Sequence, residues 1–214
     1  VNYWLHNEWL LVNGQKMSKS LGNFYTLRDI LSKGYSQVAV RYLLLSTHYR
    51  QQLNFTFEGV DAAKASADRL NELIRKLKDV KGSSKKSVLI KKEIAAAASS
   101  FEKAMNNDLN ISEALAAVFE FVRQMNHHID NSTIDKKSAS VAMIFLKKID
   151  NALGVMDFSE EEKLPKEMMK LVDERERLRK EKKFAEADKV RVKLRELGIQ
   201  LDDTPEGVRW KKIS

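Results

Sequence analysis

Apolar residues recur at three- and four-residue spacing along most of the chain, the period of helices that bury one face. The pattern is clearest from Glu58 to about Lys78, where Ala62, Ala63, Ser66, Leu70, Leu73, Ile74 and Leu77 fall on one stripe. Two more such stretches, about Val88 to Met105 and Ser112 to His128, are joined by the turn-forming run Asn106-Asn107-Asp108. A further one, about Lys136 to Leu153, stops at Gly154, which suits a left-handed cap. Helices of this kind with short connections predict an antiparallel bundle. The pattern breaks at Gly82-Ser83-Ser84-Lys85-Lys86-Ser87, which reads as a flexible linker.

The two ends are patterned differently. Glu8 to Val12 reads as a short strand entering a tight turn at Asn13-Gly14, since both residues tolerate positive φ, and a lysine-rich loop follows. Thr26-Leu27-Arg28-Asp29 is a variant capping box that opens a short helix ending near Gly34. Ser36 caps a second helix, Gln37 to His48, whose middle (Val38, Val40, Leu43, Leu44, Leu45) is apolar enough to be buried. Ser112 is the expected cap of the helix that follows Leu109-Asn110. Asp157 to Leu164 is acidic and irregular. Beyond it, Pro165 starts a helix to about Lys182, and Phe184 to Leu197 forms another. Ile199-Gln200-Leu201 and Val208-Arg209-Trp210 read as two short strands around a turn. Phe184 is expected to lock the last two helices together. The expected fold is mainly α in three parts: a loop and compact helical unit (1–57), an antiparallel helical bundle (58–156), and a small α+β domain of helical hairpin plus β-hairpin (157–214).

Composition narrows the classes. The 214 residues suit one large or two to three small domains, and 43% hydrophobic, 32% charged residues with 2 prolines suit an ordinary helical globular protein. No apolar run approaches the roughly 18 to 20 residues that cross a bilayer, and Val1-Asn2-Tyr3-Trp4 has no signal-peptide layout. A cytoplasmic location without a membrane partner is therefore expected, and a first residue other than Met hints that the native beginning lies elsewhere. The absence of cysteine excludes disulfides, thiolate catalysis and thiolate-bound zinc within these residues. His6, His48, His127 and His128 are too scattered to form a metal site, and the pair His127-His128 reads as a solvated helix end. The excess of 38 basic over 30 acidic residues, +8, suits a polyanionic partner.

The chemistry concentrates in Lys16-Met17-Ser18-Lys19-Ser20, followed by Leu21-Gly22-Asn23. Two lysines three apart, with small hydroxyl residues and a glycine, make a loop that can close over a polyphosphate. Lysine stabilises charge building on a departing pyrophosphate, while hydroxyls and backbone N–H groups add short-range hydrogen bonds. The bland alternative is a solvated Lys/Ser turn.

KMSKS is the signature loop of class I aminoacyl-tRNA synthetases, and its surroundings resemble one family. Trp4-Leu5-His6-Asn7, the run Leu21 to Asp29, Arg41 to Ser46 and His48-Tyr49-Arg50 resemble the cysteinyl-tRNA synthetases. So do Ala104 to Asn110 with Glu113-Ala114-Leu115, and Gly198 to Gly207 with Trp210. The resemblance implies a parent that uses ATP with Mg²⁺ to activate cysteine and transfers it to the tRNA for cysteine. It implies Lys16 and Lys19 as catalytic phosphate contacts, with ATP held by Lys16, Met17, Ser18, Lys19 and Ser20. It also makes residues 1–57 the end of the catalytic domain with its stem-contact unit, and 157–214 an anticodon-binding domain. Arg179, Asp188, Asp203 and Trp210 would read the anticodon, Phe184 or Trp210 offering a stacking face. Alone, Glu174-Arg175-Glu176-Arg177 and Lys180-Glu181-Lys182-Lys183 would fit a charged, solvated hairpin equally well.

The chain departs from the family pattern in having Ile111-Ser112 where a Thr-Pro pair is usual. The family's HIGH motif and its zinc ligands would precede Val1, so zinc is expected only in the parent and the chain alone is expected not to form adenylate. A separate tRNA-binding module would use the same lysines on RNA phosphates. A ligase joining cysteine to an aminosugar would not need the tail up to Ser214, and a helical scaffold would leave the loop unexplained.

Overall fold

The computed structural model describes residues 1–81, 87–159, 164–204 and 207–212. Residues 82–86 of the linker expected at 82–87, the end of the acidic stretch at 160–163 and the tip of the last turn at 205–206 lie outside them. The chain divides into two compact units, Val1–Phe158 and Ser159–Ser214.

The first unit opens with a hairpin of β1 (Leu10–Val12) and β2 (Gln15–Lys16), closed at the pair Val12 and Gln15. Asn13 (φ 50°) and Gly14 (φ 75°) supply the two positive dihedrals that a two-residue turn needs. The Asn54 side chain accepts from the Gly14 N–H at 2.7 Å and braces the turn. β3 (Leu53–Phe55), absent from the sequence-based expectation, pairs parallel with β1 to complete a sheet in the order β2-β1-β3.

Between these strands lie α1 (Leu27–Ser32) and α2 (Gln37–Leu45). The capping box is present: the Thr26 hydroxyl accepts from the Asp29 N–H, and the Asp29 carboxylate accepts from the Thr26 N–H at 2.8 Å. Ser36 caps α2 through the Ala39 N–H at 3.1 Å. α2 stops at Leu45, short of the expected His48, where the Ser46 hydroxyl donates to the Leu43 carbonyl at 2.8 Å. Its buried face is Ala39, Val40, Tyr42 and Leu43, whereas Val38 and Leu44, expected inside, are exposed.

The remaining helices of this unit are α3 (Phe57–Asp79), α4 (Ser87–Asn106), α5 (Ile111–Asp130) and α6 (Lys136–Leu153). They bury Leu70, Leu73, Ile74, Ile90, Phe121, Met125 and Leu146 almost completely, with Phe121 and Phe145 meeting edge to face at 4.8 Å. This core is continuous from Val12 to Val155, so position 57/58 lies within one packed body. Leu73 shows no exposed surface. Leu73→Ala is expected to cost about 2 to 5 kcal/mol, seen as a lower urea midpoint with an unchanged slope.

Two expectations need correction here. Asn110, not Ser112, caps α5, its side chain accepting from the Glu113 N–H at 3.2 Å. Asp108 (φ 54°) and Leu109 (φ 56°) swing the chain round early, so α5 already begins at Ile111. His128 is buried, with 6% exposure, because its ring turns toward α4. Its Nε2 meets Glu93 at 2.8 Å and its Nδ1 meets Thr133 at 2.8 Å, while His127 stays exposed beside Asn131. α6 ends as expected at Gly154 (φ 63°), whose N–H donates to the Asp150 carbonyl at 2.7 Å. A Cβ there would lie 2.9 Å from Arg41 Nε, which donates to the Leu153 carbonyl.

The second unit packs α7 (Lys166–Lys180) and α8 (Phe184–Glu196) beside the antiparallel pair β4 (Ile199–Thr204) and β5 (Gly207–Lys212). Pro165 sits one place before the helix as its cap, not as its first residue. Leu164, Leu194, Ile199 and Leu201 form the small core, with Val190, Val208 and Trp210 packed around it. Phe184, expected to lock the helices, is 58% exposed; Leu178, Ala187 and Arg175 are buried in this unit instead.

Candidate phosphate loop and nucleic-acid interface

The loop begins on the sheet. Lys16 is the last residue of β2, opposite Leu11, so this lysine stands on a strand where a loop position was expected. Met17 turns inward and packs against the main core, which ties the loop down. Lys19 to Gly22 then makes a turn closed by the Gly22 N–H donating to the Lys19 carbonyl at 3.2 Å. Gly22 has φ 66°, a conformation that glycine adopts without strain.

Side chains shape the loop further. Ser18 and Ser20 hydroxyls lie 2.7 Å apart. Asn23 accepts from the Ser18 N–H at 2.8 Å and donates to the Lys16 carbonyl at 3.1 Å. The Lys16 ammonium lies 5.7 Å from the centre of the Trp9 ring and the Lys19 ammonium 5.5 Å from that of Phe24. Both lysines are exposed, and neither makes an ion pair among the described residues. A cation over an exposed ring gains only about 0.5 to 1 kcal/mol, so both charges can be drawn off by a multiply charged phosphate.

A second cluster unites residues far apart in sequence. Tyr49 donates from its hydroxyl to Asp108 Oδ1 at 2.6 Å, Arg50 Nε pairs with Asp108 Oδ2 at 2.7 Å, and His48 Nε2 meets the Asp108 carbonyl at 2.9 Å. The chain after α2 is thereby latched to the strained turn between α4 and α5. The Tyr49 hydrogen bond first, then Arg50, hold the Asp108 carboxyl below the usual carboxylate range. A carboxyl depressed on folding stabilises the fold above its unfolded value, about 3.9, and loses that contribution as pH falls through the folded value. Asp108→Asn should therefore unfold at lower urea than the parent at pH 7, with the gap narrowing below about pH 4. A gap that stays constant down to pH 3 would contradict the latch.

In the second unit, Arg179 lies in the last turn of α7 and Asp188 in α8, both exposed. Asp203 pairs with Val208 across the β-ladder, its side chain lying outside the described residues. Trp210, opposite Leu201, is half-buried against the small core, so the more open aromatic face is that of Phe184. Phe184, expected in the core, thus lies outside, whereas Trp210, expected to offer an open face, is partly packed.

The family model described as tRNA synthetases class I (C) catalytic domain matches residues 1–65, and that of the DALR domain matches residues 100–157. The cysteine–tRNA ligase of Chlamydia felis is 45% identical over 99% of this chain, and that of Brachyspira hyodysenteriae is 41% identical over 99%. The chain belongs to the cysteine–tRNA ligase family. It spans about half the length of these curated relatives, 44% and 46% respectively. The LeuRS of Agrobacterium radiobacter K84, solved with tRNA and LeuAMS, superposes on 69% of the chain and 20% of its own with TM-score 0.54 and 18% identity. At that identity the likeness concerns the fold.

Along this chain the catalytic-domain match carries the sheet, the KMSKS loop, α1 and α2, and the DALR match carries the end of α4 with α5 and α6. Among the described residues no group of three or more His, Asp or Glu side chains could hold a metal ion. No helix among them is long and apolar enough to cross a membrane. Asn23 and the Asp108 latch were not singled out by sequence reasoning. The spacing of Asn23 from Ser18 carries no periodic signal, and the partners of Asp108 lie in another part of the chain.

Proposed function

We propose that the chain is part of a cytoplasmic cysteine–tRNA ligase, which uses ATP with Mg²⁺ to activate cysteine and then esterifies the 3′ end of the tRNA for cysteine. The observation that carries this reading is the pair of exposed lysines on a sheet-anchored KMSKS loop, each resting on an aromatic ring and unpaired by carboxylates among the described residues.

In this reading Lys16 and Lys19 move from Trp9 and Phe24 onto the ATP phosphates. The cysteine carboxylate attacks the α-phosphorus, the bond to the bridging oxygen breaks, and the two ammoniums meet the charge that develops on the departing pyrophosphate. Ser18 and Ser20 supply hydroxyl hydrogen bonds, whereas Met17, packed inward, contributes through its backbone. The second unit binds the anticodon through Arg179, Asp188 and Asp203, with Phe184 as the more open stacking face and Trp210 mainly shaping the strand that carries it. The test is cysteine-dependent ATP–pyrophosphate exchange and tRNA charging by a full-length ligase containing this chain. Exchange driven by cysteine and by no other amino acid is expected; exchange indifferent to cysteine would overturn the assignment.

A further inference from the structure

We propose that Asn23 is a positioning residue for the phosphate chemistry: its amide serves as a missing neighbour on the open edge of β2 and so fixes where the two loop lysines stand. The inference rests on the reading of this loop as the phosphate-binding element.

The argument starts from the hairpin. Val12 and Gln15 close the two-residue turn, so the next pair, Leu11 and Lys16, is the kind that exchanges no ladder hydrogen bonds. The Lys16 carbonyl accordingly points away from β1, and β2 is an edge strand with nothing beyond it in the sheet. In an extended segment the carbonyl of one residue and the N–H of the residue two further on face the same side, as Lys16 and Ser18 do here. Asn23 meets both with one planar group, accepting from the Ser18 N–H at 2.8 Å and donating to the Lys16 carbonyl at 3.1 Å. It reaches them because the Lys19–Gly22 turn folds the chain back alongside β2.

The consequence concerns the lysines. The clasp holds Lys16 to Ser18 extended in continuation of the sheet, and Lys19 leaves from its end at the start of the turn. Only a primary amide offers a donor and an acceptor side by side at this reach. Alanine removes both contacts. Aspartate keeps the acceptor but sets a second oxygen against the Lys16 carbonyl and adds a negative charge beside the lysines. Asn23 is half-exposed and outside the main core, so its loss should act on the loop and not on the fold.

The experiment measures cysteine-dependent ATP–pyrophosphate exchange in the full-length ligase for Asn23→Ala, Lys19→Ala and the double variant, with thermal melting of each. Asn23→Ala should lower kcat about 10- to 100-fold, the scale of a reacting group misplaced by a remote change, with the cysteine KM and Tm near the parent values. Because Asn23 acts through the lysines, the double variant should be slowed by clearly less than the product of the two single effects. An Asn23→Ala enzyme within twofold of the parent beside a crippled Lys19→Ala enzyme would overturn the proposal, as would fully multiplicative effects. If Lys19→Ala itself is fully active, the phosphate-loop reading fails, and that outcome is distinct from the failure of Asn23 alone.

Discussion

Lys19→Ala in the full-length ligase should slow cysteine-dependent ATP–pyrophosphate exchange about 10²- to 10³-fold while leaving cysteine binding close to normal. The side chain is exposed and rests on Phe24, so its removal leaves the fold intact and Tm should not move. In the proposed role its ground-state charge faces a phosphate chain that bound Mg²⁺ would already partly neutralise. In the transition state the departing pyrophosphate gains charge, and an ammonium already nearby stabilises that charge without further reorganisation. An interaction made mainly in the transition state lowers kcat and kcat/KM together when it is lost. Lys19→Arg should recover only part of the rate, since the guanidinium is a planar fork and not a compact point charge. Steady-state exchange against varied cysteine is the measurement; normal turnover with only a raised cysteine KM would remove Lys19 from the phosphate contacts.

What could be read in advance was what depends on local chemistry. The long helices showed through their period, and Thr26, Ser36, Gly154 and the Asn13-Gly14 turn act where side-chain chemistry placed them. Ala62, which the period places on the buried stripe of α3, is exposed; Val60 and Ala67 lie inside instead. A run of small residues shifts an apparent stripe by one position at little cost in apolar pattern. β3 escaped because three residues with one fully buried side chain carry no period, and its partner β1 is remote in sequence. His128 escaped for a related reason. A histidine near a helix end looks solvated until the Glu93 side chain of another helix is known to meet it. The loop lysines were legible as residue types, but their aromatic rests and the Asn23 clasp depend on how the chain folds back, which spacing alone does not encode.

Reading of the anticodon by the second unit predicts a separable pair of effects. A cysteine tRNA presents G, C and A, and unstacked bases are recognised by stacking and by hydrogen bonds along their edges. Arg179, exposed at the end of α7, can donate two bonds to O6 and N7 of guanine; Asp188 can accept from guanine amino or imino groups, and Asp203 from the cytosine N4 amine. At about 1 to 3 kcal/mol per base contact, Arg179→Ala or Asp203→Ala should weaken cognate binding about 5- to 150-fold and erase discrimination against a changed anticodon. Phe184→Ala should weaken binding on a similar scale, about 1 to 3 kcal/mol per stacked base, because its ring is 58% exposed and free to stack. An exposed lysine such as Lys180 touches phosphate at most, so Lys180→Ala should weaken all tRNAs alike and flatten the salt dependence. Fluorescence anisotropy of the chain with cysteine tRNA and anticodon-swapped variants, at two salt concentrations, separates the two behaviours. Equal affinity for every anticodon, unchanged by Arg179→Ala, Asp203→Ala or Phe184→Ala, would reduce the second unit to a nonspecific basic surface.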